Sequence, residues 1–325
     1  MKNGTFIISL DFELYWGVRD SRSLEEYGEN ILGVRQAIPA LLDLFEQYNI
    51  KATFATVGFL FCSGKEELMQ SLPVTLPSYK NSLLSPYIGY FNGLGKSEAE
   101  DQYHFAPSLI NMIMQKKQHE IATHTFSHYY CLEAGQTTEQ FNDDLLAAKK
   151  IANRFDVEFK SIVFPRNQYN EDYLDVCRNV NLSAFRGNED SWLYVPRNRS
   201  DESLVRRVWR LMDSYINISG NHLHSPNAVN GLCNLPSSRF LRPYKNNLAR
   251  LDWLKLRRIK KQMNAAADHK KLFHLWFHPH NFGKNLKKNL LFLEKILIHY
   301  QYLREAKGFT CMTMSEAASD YFSSN

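Results

Sequence analysis

The chain has 325 residues, of which 44% are hydrophobic and 22% charged. This composition supplies a packed core and excludes a globally disordered chain. Glycine and proline, at 15 and 11 residues, are too scarce for a fibrous or low-complexity protein. The sequence contains no apolar run of the roughly 18 residues that a membrane span needs, and the run Thr5–Leu10 is too short for the core of a signal peptide.

The five cysteines are dispersed, without a CxxC pair. An odd, scattered set argues against a disulfide scaffold and fits a reducing compartment, so we expect a cytoplasmic protein. The net charge of +5 is uneven, because Arg239 to Lys271 contains eleven basic residues and two acids. This block could face an anionic partner such as a membrane surface or a phosphorylated substrate, although a solvated helix face is the simpler interpretation.

Short apolar or β-branched runs alternate with longer amphipathic stretches along the chain. Seven runs predict strands: Thr5–Leu10, Ala52–Val57, Glu120–Thr123, Ser161–Phe164, Leu182–Phe185, Leu272–Phe277 and Phe309–Met312. Apolar spacing of three and four predicts helices between them: Ile31–Tyr48, Thr138–Phe155, Asp172–Val180, Leu204–Ile216, Leu248–Met263 and Leu286–Arg304. This alternation predicts an α/β fold with a parallel sheet, closed or nearly closed into a barrel.

Two irregular stretches, residues 72–105 and 219–246, interrupt the alternation. Long insertions of this kind usually form functional loops or lids. Since no convincing boundary divides the chain, we expect residues 1–325 to form a single domain.

Chemically versatile side chains follow four of the predicted strands. The segments are Asp11-Phe12-Glu13, His124-Thr125-Phe126-Ser127-His128, Pro165-Arg166-Asn167-Gln168 and His278-Pro279-His280. Because the carboxyl ends of parallel strands meet at one rim of a barrel, we expect these groups to converge there.

The residue types at this rim are those of a metal site with acid–base groups. His124 and His128 are four apart, so a helical turn would direct both imidazoles at one ion. Asp11 and Glu13 share a strand face, so one carboxylate could bind the metal while the other acts as a base. Arg166 could tether that base and lower its pKa.

One further histidine is needed as a general acid. His278 ends an apolar run and is the preferred candidate, with His280 as its competitor.

These segments resemble the motifs of the polysaccharide deacetylases, carbohydrate esterase family 4 with the NodB-like homology domain. His124-Thr125-Phe126-Ser127-His128 is similar to the metal-binding motif of that family, Phe164-Pro165-Arg166 to its arginine motif and Phe277-His278-Pro279 to its acid-histidine motif. Asp190-Ser191-Trp192 could correspond to a groove motif or be a plain loop. Where many members carry adjacent aspartates, this chain has Asp11-Phe12-Glu13.

The resemblance implies a distorted (β/α)7 barrel and metal-assisted amide hydrolysis. It implies Asp11 as the base, Glu13, His124 and His128 as ligands of a divalent ion such as Zn²⁺, Arg166 as the tether and His278 as the acid. Either Asp11 or Glu13 could ligate the metal.

The expected partner is an N-acylated carbohydrate of a surface glycan or its precursor, which could be diphosphate- or lipid-linked. No nucleic-acid module is recognised, and peripheral membrane contact remains open. One alternative is a metal-independent glycoside hydrolase of a related barrel that uses Asp11 and Asp190. Another is a non-catalytic glycan-binding relative.

Overall fold

A computed structural model describes residues 3–195 and 203–324. All seven predicted strands are present, with three more. The strands are β1 (Thr5–Phe12), β2 (Ala52–Thr56), β3 (Glu120–Thr123), β4 (Ser161–Ile162), β5 (Ala184–Phe185), β6 (Asn227–Val229), β7 (Leu232–Asn234), β8 (Arg239–Phe240), β9 (Leu272–Phe277) and β10 (Thr310–Cys311).

Helices lie between the strands, and most of them bury their apolar faces against the sheet. They are α1 (Leu24–Leu32), α2 (Val34–Gln47), α3 (Lys65–Gln70), α4 (Pro107–Gln115), α5 (Thr138–Asn153), α6 (Glu171–Asn179), α7 (Leu204–Asp213), α8 (Asp252–Asp268), α9 (His280–Gly283), α10 (Leu286–Lys307) and α11 (Met314–Ser323). None of these helices combines the length and apolar character needed to cross a bilayer.

The strands form one curled sheet in the order β6-β7-β5-β4-β3-β2-β1-β9-β8, with β10 beside the start of β1. Every strand pair is parallel except the β6–β7 hairpin. All eight residues of β1 are buried, as expected for a central strand covered on both faces. The carboxyl ends of β1, β3, β5 and β9 therefore open onto the same rim.

The segment between β7 and β8 bridges two strands that lie far apart in this order, β5 and β9. The Ser237 N–H donates to the Gly187 carbonyl beyond β5, and the Ser238 N–H donates to the His274 carbonyl on β9. The sheet thus curls into the distorted (β/α)7 barrel architecture, which confirms the predicted fold class.

The two expected insertions differ in the structure. Residues 72–105 contain two short 3₁₀ turns, Ser82–Leu84 and Tyr90–Gly93. Residues 219–246 instead contribute β6, β7 and β8 to the sheet, so the expectation of an irregular insertion there is wrong. These strands have only two or three residues each, too few for a periodic pattern to be visible.

Candidate active site

The His124–His128 segment forms a tight turn at the end of β3, not the helical turn expected from its spacing. Thr125 and His128 adopt left-handed backbone angles, with φ of 63° and 59°. The turn brings the two imidazoles together, with ring centroids 5.0 Å apart. The pairing of these histidines is therefore as expected, although the local conformation is different.

A buried carboxylate on α5 holds this turn. The N–H groups of Phe126 and Ser127 donate to Asp144 at 2.6 and 3.2 Å, and the Ser127 hydroxyl also donates to it. Burial raises the pKa of Asp144 to about 7, against the lowering effect of these hydrogen bonds. Sequence reasoning missed Asp144, because it lies in the middle of a helix with nothing local to single it out.

Hydrogen bonding fixes the direction in which His124 presents its free nitrogen. Its Nδ1 lies 2.7 Å from the Val163 carbonyl oxygen, which can only accept, so Nδ1 carries a proton and Nε2 is the nitrogen turned towards the site. That Nε2 lies 3.3 Å from Glu13 Oε2. A carbonyl behind a ligating histidine is a common arrangement at metal sites.

Glu13 lies between the histidines, immediately beyond β1. Its Oε2 is 3.0 Å from His128 Nε2, and its Oε1 is 3.6 Å from His278 Nε2. Burial raises the pKa of Glu13, but the neighbouring imidazoles outweigh burial and hold it well below its usual value. Burial also lowers the pKa of His128 to about 4. Metal binding requires an ionised carboxylate and neutral imidazoles, and the directions of these two pKa shifts favour those forms.

Gly17 makes room for this carboxylate. A Cβ atom at position 17 would lie only 1.9 Å from Glu13 Cδ and 2.0 Å from its Oε1. No side chain fits there unless Glu13 moves.

Two overlapping groups could hold a metal ion among the described residues. Glu13, His124 and His128 form one and Glu13, His278 and His280 the other, each with its ligand atoms within 4.8 Å of one another. The fixed ring orientation of His124 and the nearly complete burial of all three residues favour the first group. Two imidazoles and one carboxylate match the ligand set of catalytic zinc sites, so the residues fit a divalent ion.

Asp11 lies beside this group and is held by an arginine. Arg186 Nη1 donates to Asp11 Oδ1 at 2.7 Å, and Nη2 donates to Oδ2 at 2.8 Å. Burial raises the pKa of Asp11, but the charge and hydrogen bonds of Arg186 lower it below its usual value. Asn167 and Ser9 accept further hydrogen bonds from the same guanidinium, and its carbon lies 4.2 Å from the centre of the Trp276 ring.

The expectation that Arg166 tethers Asp11 is therefore corrected. Arg166 has left-handed backbone angles (φ 55°, ψ 17°), and its guanidinium pairs with Asp20 and lies 3.5 Å from Glu133. It also stacks on the Tyr130 ring at 4.0 Å. Arg186 could have been found by the same reasoning as the other groups, since it directly follows the predicted strand Leu182–Phe185.

The two candidate acids occupy different positions. His278 is about one-fifth exposed, and its Nε2 lies 3.7 Å from Asp11 Oδ2. Asn281 Nδ2 lies 3.3 Å from its Nδ1. His280 stacks under His278 with centroids 4.8 Å apart, is buried, and has Nδ1 3.9 Å from Glu13 Oε1. His278 is thus the histidine that faces solvent at the rim.

The Asp190-Ser191-Trp192 segment is exposed. Asp190 is exposed, whereas Asp11 is buried, and Trp192 is 61% exposed. The guanidinium of Arg186 keeps Asp11 ionised and so unfit as a general acid.

The model of the polysaccharide deacetylase family matches residues 30–185, which include His124 and His128. No curated protein matches the chain. Among solved structures, a Mycobacterium smegmatis protein assigned to the polysaccharide deacetylases aligns with a TM-score of 0.62 and 13% identity over 100% of this chain and 93% of that one.

Two other solved structures share the fold. A Pseudomonas aeruginosa PAO1 protein assigned to the polysaccharide deacetylases has a TM-score of 0.58 and 10% identity, covering 99% of this chain and 91% of that one. A 4-alpha-glucanotransferase from Thermococcus litoralis has a TM-score of 0.50 and 12% identity, covering 97% of this chain and 38% of that one. At these identities the likeness is one of fold.

Proposed function

Since a model of the polysaccharide deacetylase family matches residues 30–185, we propose that the chain is a metal-dependent hydrolase of N-acylated amino sugars. The observation that carries this proposal is the contact of one buried carboxylate, Glu13, with both His124 and His128 at 3.3 and 3.0 Å, beside the arginine-held Asp11. Amide hydrolysis needs an activated water, a proton acceptor and a proton donor, and this rim offers residues for each role.

Glu13, His124 and His128 would hold the ion, which we propose to be Zn²⁺. When bound, such an ion lowers the pKa of a coordinated water and polarises the acyl carbonyl. Zinc accepts mixed nitrogen and oxygen donors in a four-coordinate geometry that keeps one position open. The partial exposure of His278 on one side of this group leaves an approach for water and substrate.

Asp11 is the proposed general base. Its two hydrogen bonds from Arg186 engage one lone pair on each oxygen and fix the carboxylate plane. The remaining lone pairs can accept the proton of the attacking water. The lowered pKa keeps the group ionised across the neutral range, so the acceptor is always available.

His278 is the proposed general acid, which protonates the departing sugar amine. It is the more exposed of the two stacked histidines and lies within 3.7 Å of Asp11 Oδ2. The distance between the proposed base and the proposed acid is therefore short. Phe240 and Trp276, each 5.7 Å from the His278 ring, offer an aromatic wall for a sugar ring.

Several aromatic residues that flank the site motifs in the sequence are buried in the protein core: Tyr15, Trp16, Phe91, Tyr129 and Tyr130. The aromatic side chain proposed to face the sugar is therefore the partly exposed Phe240.

We propose an acetylated precursor of a surface glycan, diphosphate- or lipid-linked, as the substrate, and the cytoplasm as the site of the reaction. All five cysteines are free thiols, which supports a reducing compartment.

The direct test is release of acetate from N-acetylglucosamine oligomers and from UDP-N-acetylglucosamine, with and without EDTA. We expect release that stops on chelation and returns with Zn²⁺, and no release by Glu13→Gln. Glu294→Gln, a change on the distant surface of α10, is the matched control. New reducing ends without acetate would identify a glycosidase instead, and neither product with either substrate class would support a binding protein.

A further inference from the structure

Helix α7 is oriented in the reverse of the usual way. A surface helix normally turns its apolar stripe to the core and its charges to water. In α7 the charged Arg206 and Asp213 are buried, whereas the apolar residues on the opposite side are exposed. These are Leu204, Val205, Val208, Trp209 and Met212, between 39% and 76% exposed.

Buried polar contacts hold the helix in this orientation. Asp213 accepts from Arg239 at 2.7 Å and from Arg258 at 2.9 Å. Arg206 donates to the carbonyl of Val195 at 3.0 Å. Rotating the helix so that its apolar face turns towards the core would break these contacts. The fold therefore keeps the apolar face of α7 directed outwards.

Tryptophan is concentrated on this side of the molecule. Three of the five tryptophans of the chain are exposed, Trp192, Trp209 and Trp253, at 61%, 39% and 58%. Arg206 donates to the Trp192 carbonyl. Lys255, two residues from Trp253, has its Nζ 5.9 Å from the centre of the ring of Tyr215, just beyond the end of α7. Trp209 thus lies on α7 itself, Trp192 lies in a segment that α7 contacts, and Trp253 lies close in sequence to a residue near the end of α7.

Positive charge flanks the apolar face. Arg207 lies on α7 itself, Arg250 and Arg257 lie near Trp253 in the sequence, and all three are exposed. Other members of the basic block are unavailable, since Arg239, Lys255 and Arg258 are buried in ion pairs. Their burial removes these three residues from the part of the basic block that could face an anionic partner.

We propose that α7, with its own Trp209 and the nearby Trp192 and Trp253, forms a docking surface for an anionic lipid bilayer. An apolar helix face bordered by arginines lies in the bilayer interface with its side chains between the headgroups, and indole rings favour the same depth. A second copy of the chain would bring another set of arginines against this face, which like-charge repulsion disfavours. This inference does not depend on the proposed hydrolysis.

The test is sedimentation of the full chain with vesicles of equimolar phosphatidylglycerol and phosphatidylcholine, and with phosphatidylcholine alone. We expect binding to the anionic vesicles, weakened by salt, with a blue shift of tryptophan emission. Val208→Glu should weaken binding about tenfold or more, because it places a charge in the apolar face that would enter the bilayer. Leu146→Glu, an equally exposed position on α5, is the matched control and should bind as the wild type does.

Three results would overturn the proposal. They are no binding to anionic vesicles, equal binding by Val208→Glu, and a wild-type dimer in analytical ultracentrifugation that Val208→Glu converts to monomer. Acetate release from soluble oligomers should be unchanged in Val208→Glu, so a failure of docking is distinguished from a failure of the proposed enzyme activity.

Discussion

Arg186 and Asp11 form a buried, bidentate ion pair, with parallel hydrogen bonds of 2.7 and 2.8 Å between β5 and β1. The planar fork of an arginine fixes the plane of the carboxylate, which a lysine ammonium cannot do. Each partner is almost fully buried, so the pair acts as a rigid support for the proposed base.

Arg186→Lys should therefore lower kcat by about a hundredfold while metal content is kept, because a small displacement of a catalytic group costs about that much. Arg166→Lys is the matched control, since Arg166 pairs with Asp20 and Glu133. Steady-state kinetics and metal analysis on both variants decide the matter. A larger loss in Arg166→Lys would restore the assignment made from the sequence motif.

Gly17→Ala should disturb the metal site without touching a ligand. The new methyl group would overlap the Glu13 carboxylate, so we expect metal affinity to fall about 10–100-fold, as when a group that positions a ligand is changed. Gly93→Ala is the control, because nothing lies within 4 Å of its added Cβ. Competition with a zinc indicator measures the affinity. Unchanged affinity in Gly17→Ala would show that Glu13 is not a ligand.

His278→Ala should keep the metal and lower kcat by about 10²–10⁴-fold, the usual contribution of a general acid. The loss should shrink with an activated amide whose amine needs no protonation to leave. His280→Ala, which removes the buried neighbour, should show no such dependence on the leaving group. Loss of metal in His278→Ala would instead indicate that the group of Glu13, His278 and His280 binds the ion.

Asp213→Asn should destabilise the fold by about 3–5 kcal/mol at neutral pH, because it leaves Arg239 and Arg258 buried without their counter-charge. Burial raises the pKa of Asp213, but Arg239 outweighs it and the pKa is lowered from 3.8.

A lowered pKa stabilises the folded state above about pH 3.8, and this contribution is lost as the pH falls further. The difference in free energy of unfolding between the wild type and Asp213→Asn, measured with urea, should therefore become smaller in acid. Asp268→Asn, which breaks an exposed pair with Lys307, should cost at most about 1 kcal/mol. A gap that widens in acid would contradict this account.

The strand positions and most of the site could be predicted from the sequence, because the rule that parallel strands end at one rim is independent of detail. His124, His128, Glu13, Asp11 and His278 all lie where that rule places them. The rule does not specify in which direction each side chain points, however. Arg166 and Arg186 both follow strands, and only the left-handed turn at Arg166 decides which one reaches Asp11.

Other features depend on contacts between distant segments. Asp144 holds the metal-binding turn from α5, and Gly17 clears space for Glu13. The orientation of α7 is likewise set by Arg239 and Arg258, so its periodicity predicts an amphipathic helix without indicating which face is buried.

The most direct test of the central claim is metal content, measured by inductively coupled plasma mass spectrometry on the wild type and on His124→Ala. The account predicts about one equivalent of zinc or a similar divalent ion per wild-type chain and loss of that ion in the variant. A wild type that binds no metal even after incubation with Zn²⁺, or a variant that retains a full equivalent, would contradict it.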